Sequence, residues 1–182
     1  MNNMTSGIGQ YHTNESDALK PTKKLTPYLA IDWLGICALV DKPQQVGKPQ
    51  AQWLIPSSLS SRSSKSQEQD GQYYLLWVDL DKNPPPLIEL STILEGFLGD
   101  ADYEIYSTRS ATEDNQKARI LIPLTDPLNA QEWRLAQQII NNKFEKVDII
   151  PDRANQGFAQ LCYLPNKGAF YSKISKRNGV PT

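Results

Sequence analysis

Cysteine, histidine and long apolar runs are all scarce in this chain of 182 residues, which holds only two cysteines and one histidine. Cys37 and Cys162 lie far apart without a partner motif. They support neither a disulfide framework nor a cysteine-based zinc site, and a reducing, cytoplasmic setting is the simplest expectation. His12 sits in a polar N-terminal stretch and reads as a solvated residue. Mechanisms that need a histidine pair, such as rolling-circle nicking, are therefore excluded. No apolar run is long enough to span a bilayer, and residues 1–24 carry no apolar leader, so no membrane partner is expected.

Charge of either sign is also lacking in excess, since the net value is −1. It is unevenly spread. Residues 1–102 carry 8 basic and 12 acidic side chains, whereas residues 103–182 carry 11 and 8. The second half is thus compatible with a local phosphate-binding surface, although nothing pulls the whole chain toward nucleic acid.

The length suits one domain with a sizeable core. Residues 1–22, rich in Asn, Thr, Ser and Gly, read as a frayed tail, 23–171 as the folded domain, and 172–182 as a basic tail or linker to a further domain. Within the domain, Leu25 to Val40 repeats apolar residues at three and four, which predicts a helix or a helix followed by a short strand. Gln52-Trp53-Leu54-Ile55 is a short apolar run, and the Ser-rich segment 57–71, holding Arg62 and Lys65, reads as a mobile loop. Tyr73 to Asp81 is the clearest strand, and a helix follows the proline turn at 84–86. Tyr103 to Tyr106 and Arg119 to Pro123 read as neighbouring strands. Asn129 with Glu132 forms a capping-box-like start to a helix bearing Trp133, Ala136, Ile140 and Lys143 or Phe144 along one stripe. Leu161 to Leu164 is a further short strand, and Ala169 could begin another.

Chemistry concentrates at Asp79-Leu80-Asp81. A strand throws its i and i+2 side chains onto one face, so two carboxylates stand side by side, an arrangement that a divalent cation relieves. The same pair also reads as a solvated strand end. Ser107-Thr108-Arg109-Ser110 follows the next strand, where hydroxyls and a guanidinium suit an anionic group or simply a solvated turn. Lys117 and Arg119 alternate onto one strand face, either a phosphate clamp with Arg109 or an outer edge. Asp152 and its neighbour Asp148 are each a ligand candidate or a turn aspartate, and spacing does not choose between them.

Taken in order, these motifs resemble the archaeo-eukaryotic primase superfamily. The resemblance is nearest to primase-polymerase domains of phage and plasmid replication proteins and spans roughly residues 50–171. It rests on Leu76 to Asp81, Ser107 to Ser110, Lys117 to Leu124, and Asp152 placed ahead of Gln160 to Pro165. It implies an α/β (α+β) fold, with an RRM-like mixed sheet, flanking helices and a small N-terminal α/β unit. It implies that Asp79, Asp81 and Asp152 are catalytic and hold two Mg2+ or Mn2+ ions, and that Ser107, Arg109, Lys117 and Arg119 hold the nucleotide. Members of the family often carry zinc in a separate element, but the sequence has no ligand cluster for it, so no zinc is expected. Arg62 and Lys65 are weaker candidates for DNA contact. The implied partners are a single-stranded DNA template, an NTP or dNTP, and a fused or associated helicase.

Two positions depart from the pattern. Arg109 stands where histidine is usual, keeping a fixed positive charge but giving up proton donation, and Gln160 stands where an arginine is usual. The departure at Arg109 leaves a second reading open, a weakly catalytic or non-catalytic DNA-binding module of a replication initiator or helicase.

Overall fold

A computed structural model describes residues 3–9 and 26–178. Most of the expected N-terminal tail, including His12, lies outside them. Met4–Ile8 does not: it forms strand β1, buried for most of its length, inside a segment expected to be frayed. Small Thr and Ser side chains hide a strand signal in sequence, but Ser6 can be buried here because its hydroxyl donates to the carbonyl of Trp53 at 2.7 Å.

The fold is α+β, with two four-stranded sheets and, among the described residues, four α-helices. In the first sheet β1 lies between β2 (Leu29–Ile31) and β3 (Gln52–Ile55), and β7 (Cys162–Tyr163) joins the outer side of β3. The second sheet has the order β4 (Gln72–Leu80), β6 (Ala118–Asn129), β5 (Tyr103–Ser107), β8 (Lys173–Lys176). A mixed sheet was expected, but every pairing between these strands is antiparallel. The two sheets are joined at a corner where Tyr74 donates to the carbonyl of Pro56 and Ser58 to that of Gln72.

Three other expectations are corrected. Residues 25–40 form β2 and then α1 (Trp33–Asp41), reversing the expected order, because Asp32 accepts from Gly35 and starts the helix late. The Ser-rich loop contains α2 (Ser64–Asp70), capped by Ser63 and anchored by the buried Gln67, which donates to the carbonyls of Leu59 and Ser61. The basic tail supplies β8, whose residues pair with β5. Arg177 just beyond it reaches the buried Glu104 and also Asp41, so long-range ion pairs, invisible in a local pattern, dock it. By contrast α3 (Leu87–Leu98) and α4 (Ala130–Glu145) form where expected, the latter with the Asn129–Glu132 capping box complete.

Alternation along the strands separates two cores. Leu75 and Trp77 of β4, Tyr106 of β5 and Leu121 of β6 face the first sheet and α1. Val78, Leu80, Ile105, Ile120 and Ile122 face α3 and α4 instead. Strand β4 is an edge, and its outward peptide groups are covered by side chains. Gln137 accepts from the N–H of Trp77 at 2.8 Å and donates to its carbonyl at 2.9 Å. Trp133, stacked on Tyr73, donates to the carbonyl of Leu75 at 2.9 Å.

Candidate functional site

Where β4, β5 and β6 approach β7, period-two alternation sets three polar side chains in a row. The register pairs Asp79 with Arg119 and Arg119 with Tyr106, all pointing to the same face as Trp77. They open into a cleft of about 570 Å³. Its walls also carry Asp81, Asp152, Arg109 and Gln160, together with Lys48, Thr108, Ser110, Asn155, Tyr163 and Asn166.

Arg119 is held in this cleft by two partners. Its Nη2 lies 2.7 Å from Oδ2 of Asp79, and its Nη1 donates to the carbonyl of Tyr163 at 2.6 Å. The hydroxyl of Tyr106 donates to the same carbonyl at 2.8 Å. Burial, the largest single influence, works against the charge on Arg119, but its polar neighbours, the Asp79 carboxylate foremost, together hold the guanidinium above its ordinary pKa. Burial pushes the Tyr106 phenol well up and the adjacent Cys162 thiol up to about 12, so neither is a nucleophile near neutrality. Four polar atoms on cleft-lining residues are buried without a partner: Nε1 of Trp77, Oδ1 of Asp79, Oγ1 of Thr108 and Nε of Arg119.

Asp152 reaches the cleft through main chain. Its N–H donates to the carbonyl of Asp79 at 2.9 Å, and its carboxylate accepts from Ala154 at 2.9 Å, capping the 3-10 turn Arg153–Gln156. Asn155 in that turn is fully buried, donates to the carbonyl of Trp77 at 2.7 Å and pairs reciprocally with Asn141. Asp148, its sequence competitor, has positive φ in the turn after α4 and does not line the cleft.

Asp79, Asp81 and Asp152 therefore border one cleft, but among the described residues no three acidic, histidine or cysteine side chains form a ready cluster for a metal ion. Carboxylate oxygens nonetheless suit a hard divalent cation, which keeps several waters and needs only one or two carboxylates plus phosphate. Oδ1 of Asp79, buried and without a hydrogen-bond partner, is an unsatisfied oxygen of that kind.

The expected nucleotide-holding set divides. Arg109 lines the cleft, with Nη1 donating to the carbonyl of Val46 at 2.6 Å. Ser107 does not, because alternation turns it away. It is fully buried, and its hydroxyl accepts from Ser172 at 2.8 Å; Thr108 and Ser110 take the cleft side instead. Lys117 precedes β6 and is absent from the cleft wall. Arg62 lies over the ring of Trp53, at 5.6 Å, beside an adjoining hollow that shares Lys48 and Tyr163 with the cleft. Lys65 is exposed on α2 and borders neither.

Sequence reasoning missed Lys48, which lies 5.4 Å over the ring of Tyr163 at the rim. Its 3-10 turn Lys48–Gln50 has no local signature beyond Gly47 and Pro49. Gly168 was also missed. A Cβ there would sit 2.0 Å from the carbonyl oxygen of Arg109, so only glycine lets the two loops touch. The described residues contain no helix long and apolar enough to cross a membrane. No protein-family model, curated protein or solved structure matches the chain.

Proposed function

We propose that this chain is a DNA primase or primase-polymerase type nucleotidyltransferase domain of a mobile-element replication protein. It would join nucleotides to a 3′ hydroxyl on a single-stranded DNA template, with pyrophosphate as leaving group. The observation that carries this is the meeting, in one cleft, of Asp79, Asp81 and Asp152 with Arg109, Arg119 and Lys48, contributed by distant parts of the chain. Carboxylates facing cations suit a ligand that brings both signs, such as a nucleoside triphosphate with its divalent ion.

Further support comes from the order β4-α3-β5-β6-α4 with β4, β6 and β5 adjacent in that sequence, which resembles an RRM-like unit with both helices on one face. Its edge beside β4 is occupied by Gln137 and the 152–155 turn. Asp79, Asp81 and Asp152 would hold Mg2+ or Mn2+, and the bound ion would neutralise the phosphate charge that develops during in-line transfer. Arg109 and Lys48 stand at the rim to steer and hold the polyphosphate, and Thr108 and Ser110 offer hydroxyl donors beside them.

A second reading, a DNA-binding module with little or no polymerase activity, is favoured by the engagement of Arg119 with Asp79 and by Arg109 in place of histidine. One experiment separates the two. Wild-type protein, a single-stranded template, nucleotides and manganese should yield labelled oligomers that vanish in Asp79→Ala. Template binding without product would reverse the order of the two readings.

A further inference from the structure

Within that proposed site, and resting on it, we infer that Arg119 is a resident counterion of Asp79. A polyphosphate and a divalent cation exchange it away together. The side chains of Arg119 and Asp79 are only 11% and 14% exposed, so neither charge is solvated enough to stand alone. Removing one partner from such a pair leaves an uncompensated charge, which is far costlier than replacing it with another charge of the same sign. The exchange therefore has two halves. An anion must take Arg119 as a cation takes Asp79.

Two of the cleft's four unpartnered buried atoms lie on these same two side chains. Oδ1 of Asp79 is an unsatisfied acceptor and Nε of Arg119 an unsatisfied donor, both buried, so each side chain has bonding capacity that the pair leaves unused and that an exchange of partners can satisfy. The carbonyl of Tyr163 holds Nη1 of Arg119 and the ring of Trp77 lies 5.7 Å from its guanidinium carbon, contacts that can keep the side chain in the cleft during the exchange. Because each ligand releases the group that the other needs, polyphosphate and cation bind with positive coupling, and that coupling is reciprocal.

The probe is inorganic tripolyphosphate, titrated calorimetrically in EDTA into the wild type, Asp79→Asn and Asp81→Asn. Both variants remove one negative charge from the cleft wall, but only the first frees Arg119. Asp79→Asn should tighten tripolyphosphate binding about tenfold or more, the scale of a hydrogen bond to a charged group, and Asp81→Asn by no more than about threefold. In the complementary arm, Arg119→Gln, verified as folded by circular dichroism, should bind Mn2+ alone about tenfold more tightly than wild type, read from the resonance signal of free Mn2+.

Equal gains in Asp79→Asn and Asp81→Asn would overturn the exchange and make the pair a fixed structural bridge. Should wild type bind Mn2+ and ATP together while Asp79→Asn gains nothing in EDTA, the exchange fails and the nucleotidyltransferase reading survives. A gain in Asp79→Asn from a protein that never takes Mn2+ with ATP would overturn the exchange, whose cation half would be missing, and remove that reading with it.

Discussion

Asp152 is fastened to Asp79 by a main-chain hydrogen bond of 2.9 Å, from the N–H of the first to the carbonyl of the second, although 73 positions separate them in the chain. The edge of β4 thus serves as a bracket for the turn that presents the third carboxylate. The buried amides of Asn155 and Asn141 hold that turn from behind.

Asn155→Ala removes the donor to Trp77 and strands the buried amide of Asn141. It should cost about 2–3 kcal/mol in urea unfolding, on the scale of buried polar groups left unpaired. The turn bearing Asp152 should lose amide-exchange protection first. Unchanged protection at 152–156 would show that the amide pair does not hold it.

Gly168→Ala pushes a methyl group into the carbonyl of Arg109 and should lower stability by about 1–3 kcal/mol while opening the cleft rim. Gly96→Ala is the control: nothing lies within 4 Å of its Cβ, and α3 should gain about 0.5–1 kcal/mol. Thermal melts of both variants test the contrast, which fails if the two shift in the same direction.

Arg119→Met leaves Asp79 without its counterion in a nearly closed site and should cost about 3 kcal/mol. Adding Asp79→Asn to it should recover part of that loss. A double-mutant cycle with a coupling below about 0.5 kcal/mol would show that the two side chains do not depend on one another.

Acid should loosen the C-terminal strand. Hydrogen bonds from Arg177 and then Lys173 lower the Asp41 carboxyl from 3.8 to about 2. Because the folded-state value is the depressed one, the stabilisation is complete above pH 3.8 and disappears as pH falls through about 2. Asp41 is half-exposed, so the effect is modest. Asp41→Asn should be less stable than wild type at pH 6, with the gap narrowing steeply as pH falls from 3.8 toward about 2, and a gap that does not narrow over that range would exclude this origin.

Burial raises the Cys37 and Cys162 thiols to about 12, leaving almost no thiolate at pH 8. A disulfide reagent such as DTNB should therefore titrate both only after denaturation. Reaction of either within minutes in the native protein would mean that its element opens readily.

Elements whose signals are local were legible in the sequence. The capping box at Asn129, the stripe through Trp133, Ile140 and Phe144, and the apolar run from Tyr73 to Val78 all act within a few residues, and α4 and β4 follow them. Strands β1 and β8 were not legible, since each is held by partners far along the chain: Trp53 for Ser6, and Asp41 and Glu104 for Arg177. The same limit explains Ser107. Its residue type suits a phosphate, but only the strand's phase decides that Tyr106 and Thr108 face the cleft.

By itself the sequence determined the chemical types on offer, namely a pair of strand-end carboxylates, a third aspartate further on, and arginines placed among hydroxyls, with no histidine or cysteine chemistry near them. Tertiary structure alone decided which of these meet. Antiparallel register set Arg119 between Asp79 and Tyr106, the edge of β4 drew in Asp152, and the contact at Gly168 fixed the loop of Arg109. The physical reason is that a charge is governed by its nearest neighbours in space, and for Asp79, Arg119 and Arg109 those neighbours come from elsewhere in the chain.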